Sequence, residues 1–257
     1  MSIHVLAVGD VAGDAGVDFL ARQLPALRRE HGVHFTVVCG ENAAFHGLLP
    51  AQADAIFAAG ADVITMGNHT WDKKQIVKYM EGNPYIIRPA NYTARAPGRG
   101  WGVFDGPRGL RVRVVNLIGR VGLNPNCDSP FTKMDEILRE DADLTLVDFH
   151  AEATSEKGAM AWYLDGRAQA LWGTHTHVPT ADCQVLPQGL GFVTDLGMTG
   201  PAHSVIGSRP EQAINLFLGG VPQRFEPAQG PCRLNAVLFD IDPAAKRCVD
   251  VRRVDIG

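Results

Sequence analysis

Apolar positions follow two rhythms along this chain. Residues 3–9, IHVLAVG, form an unbroken apolar run, as a strand buried on both faces of a parallel sheet requires. Over residues 16–30, Val17, Leu20, Leu24 and Leu27 recur at helical spacing with charges between them. Residues 34–39, HFTVVC, predict a second strand. Residues 50–59 predict a helix that opens on Pro50 and stops before Gly60. Residues 62–66, DVITM, predict a third strand, and residues 72–80 another amphipathic helix. This βαβαβ alternation implies a parallel sheet covered by helices.

The middle and end of the chain read differently. WGVFD and RVRVVNLIG, joined through GPRG within residues 101–118, predict a hairpin. Residues 129–140 read as a helix, residues 143–148 as a strand running into His150, and residues 168–172 as a short strand running into His175. RLNAVLFDI and RCVDVRRVD flank DPAAK as a second hairpin. Parallel units together with antiparallel hairpins point to an α/β protein with one mixed sheet, or with two sheets packed between helices. No repeat, low-complexity segment or linker divides it, so residues 1–257 read as a single domain.

Composition narrows the function. The formal net charge is −4, from 24 basic and 28 acidic residues. That balance argues against coating nucleic acid or anionic lipid, so neither a stable nucleic-acid complex nor a membrane partner is expected. The cysteines Cys39, Cys127, Cys183, Cys232 and Cys248 are odd in number, scattered and without a C-x-x-C pair. This disfavours a disulfide scaffold and a thiolate zinc site. Cys39 and Cys183 read as small buried or half-buried residues. No signal peptide or membrane span is evident, which predicts a cytoplasmic protein.

The chemistry gathers where strands end. The first strand ends in Gly9-Asp10, the second in Gly40-Glu41-Asn42, and the third in Gly67-Asn68-His69. Later ones end in Asp148-Phe149-His150 and Gly173-Thr174-His175-Thr176-His177. In open α/β sheets, functional groups collect beyond the carboxyl ends of the strands. Each piece alone has a plainer reading, as a helix cap, a turn residue or a core histidine. Together they place carboxylate, amide and imidazole ligands at successive strand ends, a donor set for manganese, iron, zinc or similar ions. Asp10, Glu41, Asn42, Asn68, His150, His175 and His177 are too many for one four-coordinate ion. They suffice for two ions if one carboxylate bridges, and paired ions about 3.5–4 Å apart serve phosphate-ester hydrolysis.

Order and strand-end placement of these pieces resemble the calcineurin-like metallophosphoesterase superfamily, whose pattern is D-x-H, G-D-x-x-D, G-N-H-[DE], a lone His, then G-H-x-H. Two departures stand out: Ala12 replaces the His of D-x-H, and Glu41 followed by Asn42 replaces the usual bridging Asp. The stretches GENAA, ITMGNHTWDKK, RPAN, DFHAEATSEK, GTHTHV and TDLGMTGP are similar to one branch, the YmdB-like phosphodiesterases, over residues 10 to about 201. The resemblance implies an αββα sandwich of two mixed sheets flanked by helices. It implies that Asp10, Asn42 and His177 hold one ion, that Asn68, His150 and His175 hold the other, and that Glu41 bridges them. It further implies iron, with manganese as a substitute, and hydrolysis of small phosphodiesters such as 2′,3′-cyclic nucleotides by metal-bound hydroxide. His69 is then expected to assist the leaving group rather than bind metal; support of a neighbouring residue is the plainer alternative.

Other residues carry weaker expectations. Glu152 is left open between orienting a ligand histidine and no role; Ser155 is read as a helix cap with Lys157 exposed. Asp72 reads as an N-cap, and Asp195 equally as support or as a turn residue. His46 and His203 sit in loops that could face the cleft, whereas His4, His31 and His34 read as surface residues. A regulatory protein that binds a nucleotide or senses metal at the same site, with little turnover, is the alternative function. INLFLGGVP at 214–222 could pack inside or at a subunit contact, so a homo-oligomer stays open.

Overall fold

The computed structural model describes residues 2–123 and 125–257. The N-terminal run forms β1 (Ile3–Val8), followed by the short β2 (Asp10–Val11) and α1 (Gly13–Glu30). Then come β3 (Phe35–Cys39), α2 (Pro50–Ala59), β4 (Val63–Thr65), α3 (Lys74–Gly82) and β5 (Ile86–Ile87). The hairpin is β6 (Trp101–Asp105) with β7 (Arg111–Ile118), and the next units are α4 (Pro130–Ile137), β8 (Leu144–His150), α5 (Thr154–Leu164) and β9 (Ala170–Thr174). Three short strands follow, β10 (Gln184–Val185), β11 (Gly191–Val193) and β12 (Met198–Pro201), then α6 (Pro210–Phe217). The chain closes with β13 (Cys232–Arg233) and the hairpin β14 (Ala236–Asp242) and β15 (Arg247–Arg253).

Two six-stranded sheets result, ordered β15-β14-β1-β3-β4-β5 and β10-β11-β9-β8-β7-β6, with β13, β12 and β2 forming a small third sheet. In the first, β1, β3, β4 and β5 run parallel, with Val37 opposite both Ala7 and Val63. In the second, β7, β8, β9 and β11 run parallel, with Val147 opposite both Val115 and Leu171. The hairpin strands add antiparallel edges. Both sheets are therefore mixed, and the arrangement is an αββα sandwich.

Strand periodicity explains the layering, since alternate side chains face opposite ways. Leu6 and Val8 pack under α1 and α2 against Leu20, Leu24 and Ile56. Ile3, Val5 and Ala7 point the other way, into a layer between the sheets with Val112, Val114, Leu146 and Trp172. Val115, Leu117 and Phe149 meet Met134 of α4 and Met160 and Leu164 of α5 on the far side. Trp172 is 1% exposed and packs on Phe239 at 5.7 Å between ring centroids, so its truncation to Ala would cost about 3–5 kcal/mol.

Several boundaries moved from expectation. The helix expected over 16–30 begins at Gly13, because its first turn, Gly-Asp-Ala, carries no periodic apolar residue. Residues 214–222 lie at the surface: Ile214, Phe217, Leu218 and Val221 are all exposed. No helix among the described residues is long and apolar enough to cross a membrane.

Candidate metal centre

The strand ends converge on one buried spot. Glu41, just beyond β3, is fully buried, and its Oε1 lies 3.1 Å from His150 Nε2 and 3.1 Å from Asn42 Nδ2. Its other oxygen, Oε2, accepts the backbone N–H of His69 at 3.0 Å. On one side of Glu41, His150 Nε2 faces Asn68 Oδ1 at 2.9 Å and His175 Nδ1 at 3.2 Å. On the other, Asn42 Nδ2 lies 3.5 Å from Asp10 Oδ1 and 3.1 Å from His177 Nε2. The seven residues expected as ligands thus form two groups sharing one carboxylate oxygen. A Cβ at residue 67 would collide with the Glu41 carboxylate and the His150 ring, so only glycine lets the chain beyond β4 pass this close.

Hydrogen bonds behind the rings set which nitrogen faces inward. The single Thr174 hydroxyl proton goes to Asp148 Oδ1 at 2.7 Å, so Thr174 Oγ1 accepts from His150 Nδ1 at 2.9 Å. His177 Nδ1 donates to the Ile206 carbonyl at 2.9 Å. His175 Nε2 donates to Glu152 Oε2 at 3.1 Å, which gives Glu152 an orienting role. The inward atoms are therefore Nε2 of His150, Nδ1 of His175 and Nε2 of His177.

His175 and His177 do not share a strand face. β9 stops at Thr174, and both histidines adopt left-handed backbone, with φ of 102° and 64°. The kinks send His175 toward His150 and His177 toward Asp10 and Asn42. Phe45 (φ 65°) and Ile206 (φ 47°) are left-handed as well, and all four residues line one cleft. A β-branched residue at positive φ is a genuine outlier, and such strain concentrates at functional sites.

The electrostatics call for a cation. His150 Nε2 is ringed by a carboxylate oxygen, an amide oxygen and an imidazole lone pair, all of them acceptors. Burial pushes the His150 pKa down, but Glu41, Asp10 and Asp148 outweigh it and raise it to about 9. A proton there stands where a metal ion would satisfy the same acceptors. Burial alone would raise Glu41, yet the neighbouring His150 charge holds its carboxyl well below the usual range. His175 is pushed down by burial and by His150. Burial lifts Asp148 to about 6, against hydrogen bonds from Thr65 and Thr174. Asn42's amide group sits amid Asp10, Glu41 and His177, and turning it over places its oxygen in the same position. Carboxylate, amide oxygen and imidazole around one buried spot fit first-row metal ions.

Other residues depart from the sequence reading in several places. Lys157 is buried, not exposed: its Nζ donates to Asp195 Oδ2 at 2.7 Å, with both side chains 1% exposed. The same Asp195 oxygen accepts Thr176 N at 3.3 Å, tying the ion pair to the segment between the two histidines. Ser155 caps nothing, since α5 starts at Thr154 behind Ala153 with no side-chain cap. Asp72 is no N-cap either; its Oδ2 accepts from His69 Nδ1 at 2.8 Å. Cys39 donates to Asp10 Oδ1 at 3.4 Å, and burial pushes its thiol well up, so it acts as a neutral donor. His4 and His34 are half-buried and pack edge to face at 5.4 Å, so they are not simple surface residues. His203 does not line the cleft.

A cavity of about 300 Å³ opens above the centre. Glu41, Asn42, His69, His175 and His177 form its polar floor. His46 stacks on His69 at 4.4 Å with 14° between the rings, and Phe45 stacks on His46. A larger surface hollow of about 660 Å³ near α3 contains none of the expected site residues.

Two mixed sheets sandwiched between helices, with carboxylate, amide and imidazole groups gathered at the strand ends, define a protein of the metallophosphoesterase-like class. Within it, this chain belongs to the YmdB-like protein family, whose sequence model matches residues 6–254. It is 44% identical over 259 residues to the 2′,3′-cyclic-nucleotide 2′-phosphodiesterase of Bacillus subtilis (strain 168), covering 99% of this chain and 97% of that one. A solved structure from Thermus thermophilus, described as a hypothetical protein, superposes with a TM-score of 0.93 at 39% identity and 99% coverage of both chains. A Mycoplasma pneumoniae structure described as a novel phosphatase gives 0.94 at 36% identity, covering 100% of this chain and 94% of that one.

Proposed function

We propose that this protein is a dinuclear metal-dependent phosphodiesterase acting on small phosphodiesters such as 2′,3′-cyclic nucleotides. The observation that carries the reading is the position of Glu41 Oε1, equally distant at 3.1 Å from the Asn42 and the His150 groups. Asp10, Asn42 and His177 would hold one ion and Asn68, His150 and His175 the other, with Glu41 between them. When bound, the ions supply Lewis acidity toward the phosphate and a nucleophile near neutral pH. The donor set suits iron, with manganese as a substitute.

The chain's own residues do the rest. His69 stands at the cavity floor, outside both ligand groups, with Nδ1 anchored to Asp72 Oδ2. That contact orients the ring, leaving Nε2 as the atom that gives a proton to the departing ribose oxygen. The stack with His46 fixes the plane of the ring. The relative named above is a 2′,3′-cyclic-nucleotide 2′-phosphodiesterase, and the small, partly apolar cavity suits a substrate of that size. The reading places the enzyme in the cytoplasm, where its five unpaired cysteines stay reduced.

The test is a phosphodiester panel with ion-loaded wild type and His69→Ala. Wild type should hydrolyse 2′,3′-cyclic nucleotides. The variant should keep its ions and lose about 10²–10⁴ in kcat. Ion-loaded wild type that turns nothing over would overturn the enzyme reading in favour of a regulatory one.

A further inference from the structure

The cleft has a second pole that the hydrolytic chemistry does not use. Above the polar floor, the same cavity is lined by Ile206, Leu216, Phe217 and Phe225, facing Phe45 and His46. Phe217 is 86% exposed and Ile206 54% exposed, although both border the metal centre. Large apolar side chains left open beside a polar site mark a surface that a ligand covers. Ile206 also holds a left-handed backbone, while its carbonyl receives His177. The loop that orients an expected metal ligand thus also carries part of the apolar wall.

We propose that this wall stacks the nucleobase of the substrate while the floor holds the phosphate. The inference rests on the phosphodiesterase reading and adds how a nucleoside ester is distinguished from a bare one. Three observations select a flat aromatic occupant. The two poles are continuous within one cavity of about 300 Å³, the scale of a small-ligand site. Flat rings already stack along its lining, Phe45 on His46 and His46 on His69. The wall side chains Ile206, Leu216, Phe217 and Phe225 offer no hydrogen-bonding group to read a base edge. Stacking without edge contacts is tolerant of base identity, because every base has a π-face. The wall therefore favours any 2′,3′-cyclic nucleotide over the same cyclic phosphate without a base.

Two arms test this with the ion-loaded full chain. The first compares kcat/KM for the 2′,3′-cyclic phosphates of adenosine, guanosine, cytidine and uridine with methyl riboside 2′,3′-cyclic phosphate, which keeps the reacting ring and lacks the base. The second measures Kd by calorimetry for adenosine 3′-monophosphate and methyl riboside 3-phosphate, which needs no turnover. The four nucleotides should agree within about tenfold and exceed the base-free ester by about tenfold or more, mainly through KM. Phe225→Ala combined with Phe217→Ala should bring both ratios toward one, and Phe225→Tyr should preserve them. Ratios near one in wild type overturn the inference, as do ratios unchanged in the double variant. A double variant that alters only the oligomeric state also overturns it, by making the wall a contact between copies. If nothing is hydrolysed but the binding ratio holds and falls in the double variant, the phosphodiesterase reading fails while the base wall stands.

Discussion

Lys157→Met isolates the ion pair buried behind the candidate metal centre. Lys157 and Asp195 are each 1% exposed and meet at 2.7 Å. Removing one partner of such a pair typically costs about 3–5 kcal/mol, because the other charge stays buried and uncompensated. Met preserves most of the lysine stem, so the loss is electrostatic rather than a cavity. Asp195 keeps two backbone donors, Gly197 N at 2.9 Å and Thr176 N at 3.3 Å, which places the expected cost at the lower end, about 3 kcal/mol at pH 7. The pH dependence has a definite sign. Burial already raises Asp195 above its ordinary pKa, with Lys157 pulling the other way and Asp10 adding to the rise. Without Lys157 the folded-state pKa climbs further. A raised carboxyl contributes stability below its unfolded value that is lost as pH rises through the folded value. The deficit of the variant should therefore be small near pH 4 and full at pH 7. Urea unfolding followed by circular dichroism at both pH values, wild type against variant, reads this directly. Lys157→Met/Asp195→Asn should recover much of the loss. A deficit under about 1 kcal/mol at pH 7, or one equal at both pH values, would refute the reasoning.

Three further outcomes follow from the same geometry. Thr174→Val breaks the link between Asp148 and His150 Nδ1 and should weaken ion affinity about 10–100-fold in competition titrations. Ion binding needs the neutral form of His150, whose pKa the surrounding carboxylates raise to about 9. Affinity should accordingly rise with pH up to that value and loading should release a proton, seen as a buffer-dependent heat in calorimetry. Asp72→Asn should lower kcat less than His69→Ala does, with ion content unchanged by elemental analysis.

Much of this architecture was written in local pattern. The unbroken run of β1 is apolar because one set of its side chains enters the inter-sheet layer and the other meets α1 and α2. Gly9, Gly40, Gly67 and Gly173 flagged the strand ends because the backbone has no room there for a side chain. What local pattern did not carry was direction and long-range pairing. An H-x-H triplet predicts two rings on one face only if the strand continues, and the left-handed turns at His175 and His177 depend on contacts with Asp10 and Ile206. Lys157 looked like an exposed helix residue because its partner lies 38 positions away. Asp72 sits where an N-cap belongs in sequence, yet it is a partner for His69. The apolar stretch 214–222 read equally as interior or as a subunit contact, and nothing local revealed that it forms part of α6 and sets the exposed Phe217 at the cleft.

Anomalous diffraction from crystals of the metal-loaded protein tests the central claim most directly. Two peaks should flank Glu41, one contacted by Asp10, Asn42 and His177 and the other by Asn68, His150 and His175. A single peak, or a peak at the cluster of His46, His69 and Asp72 instead of at Glu41, would contradict it.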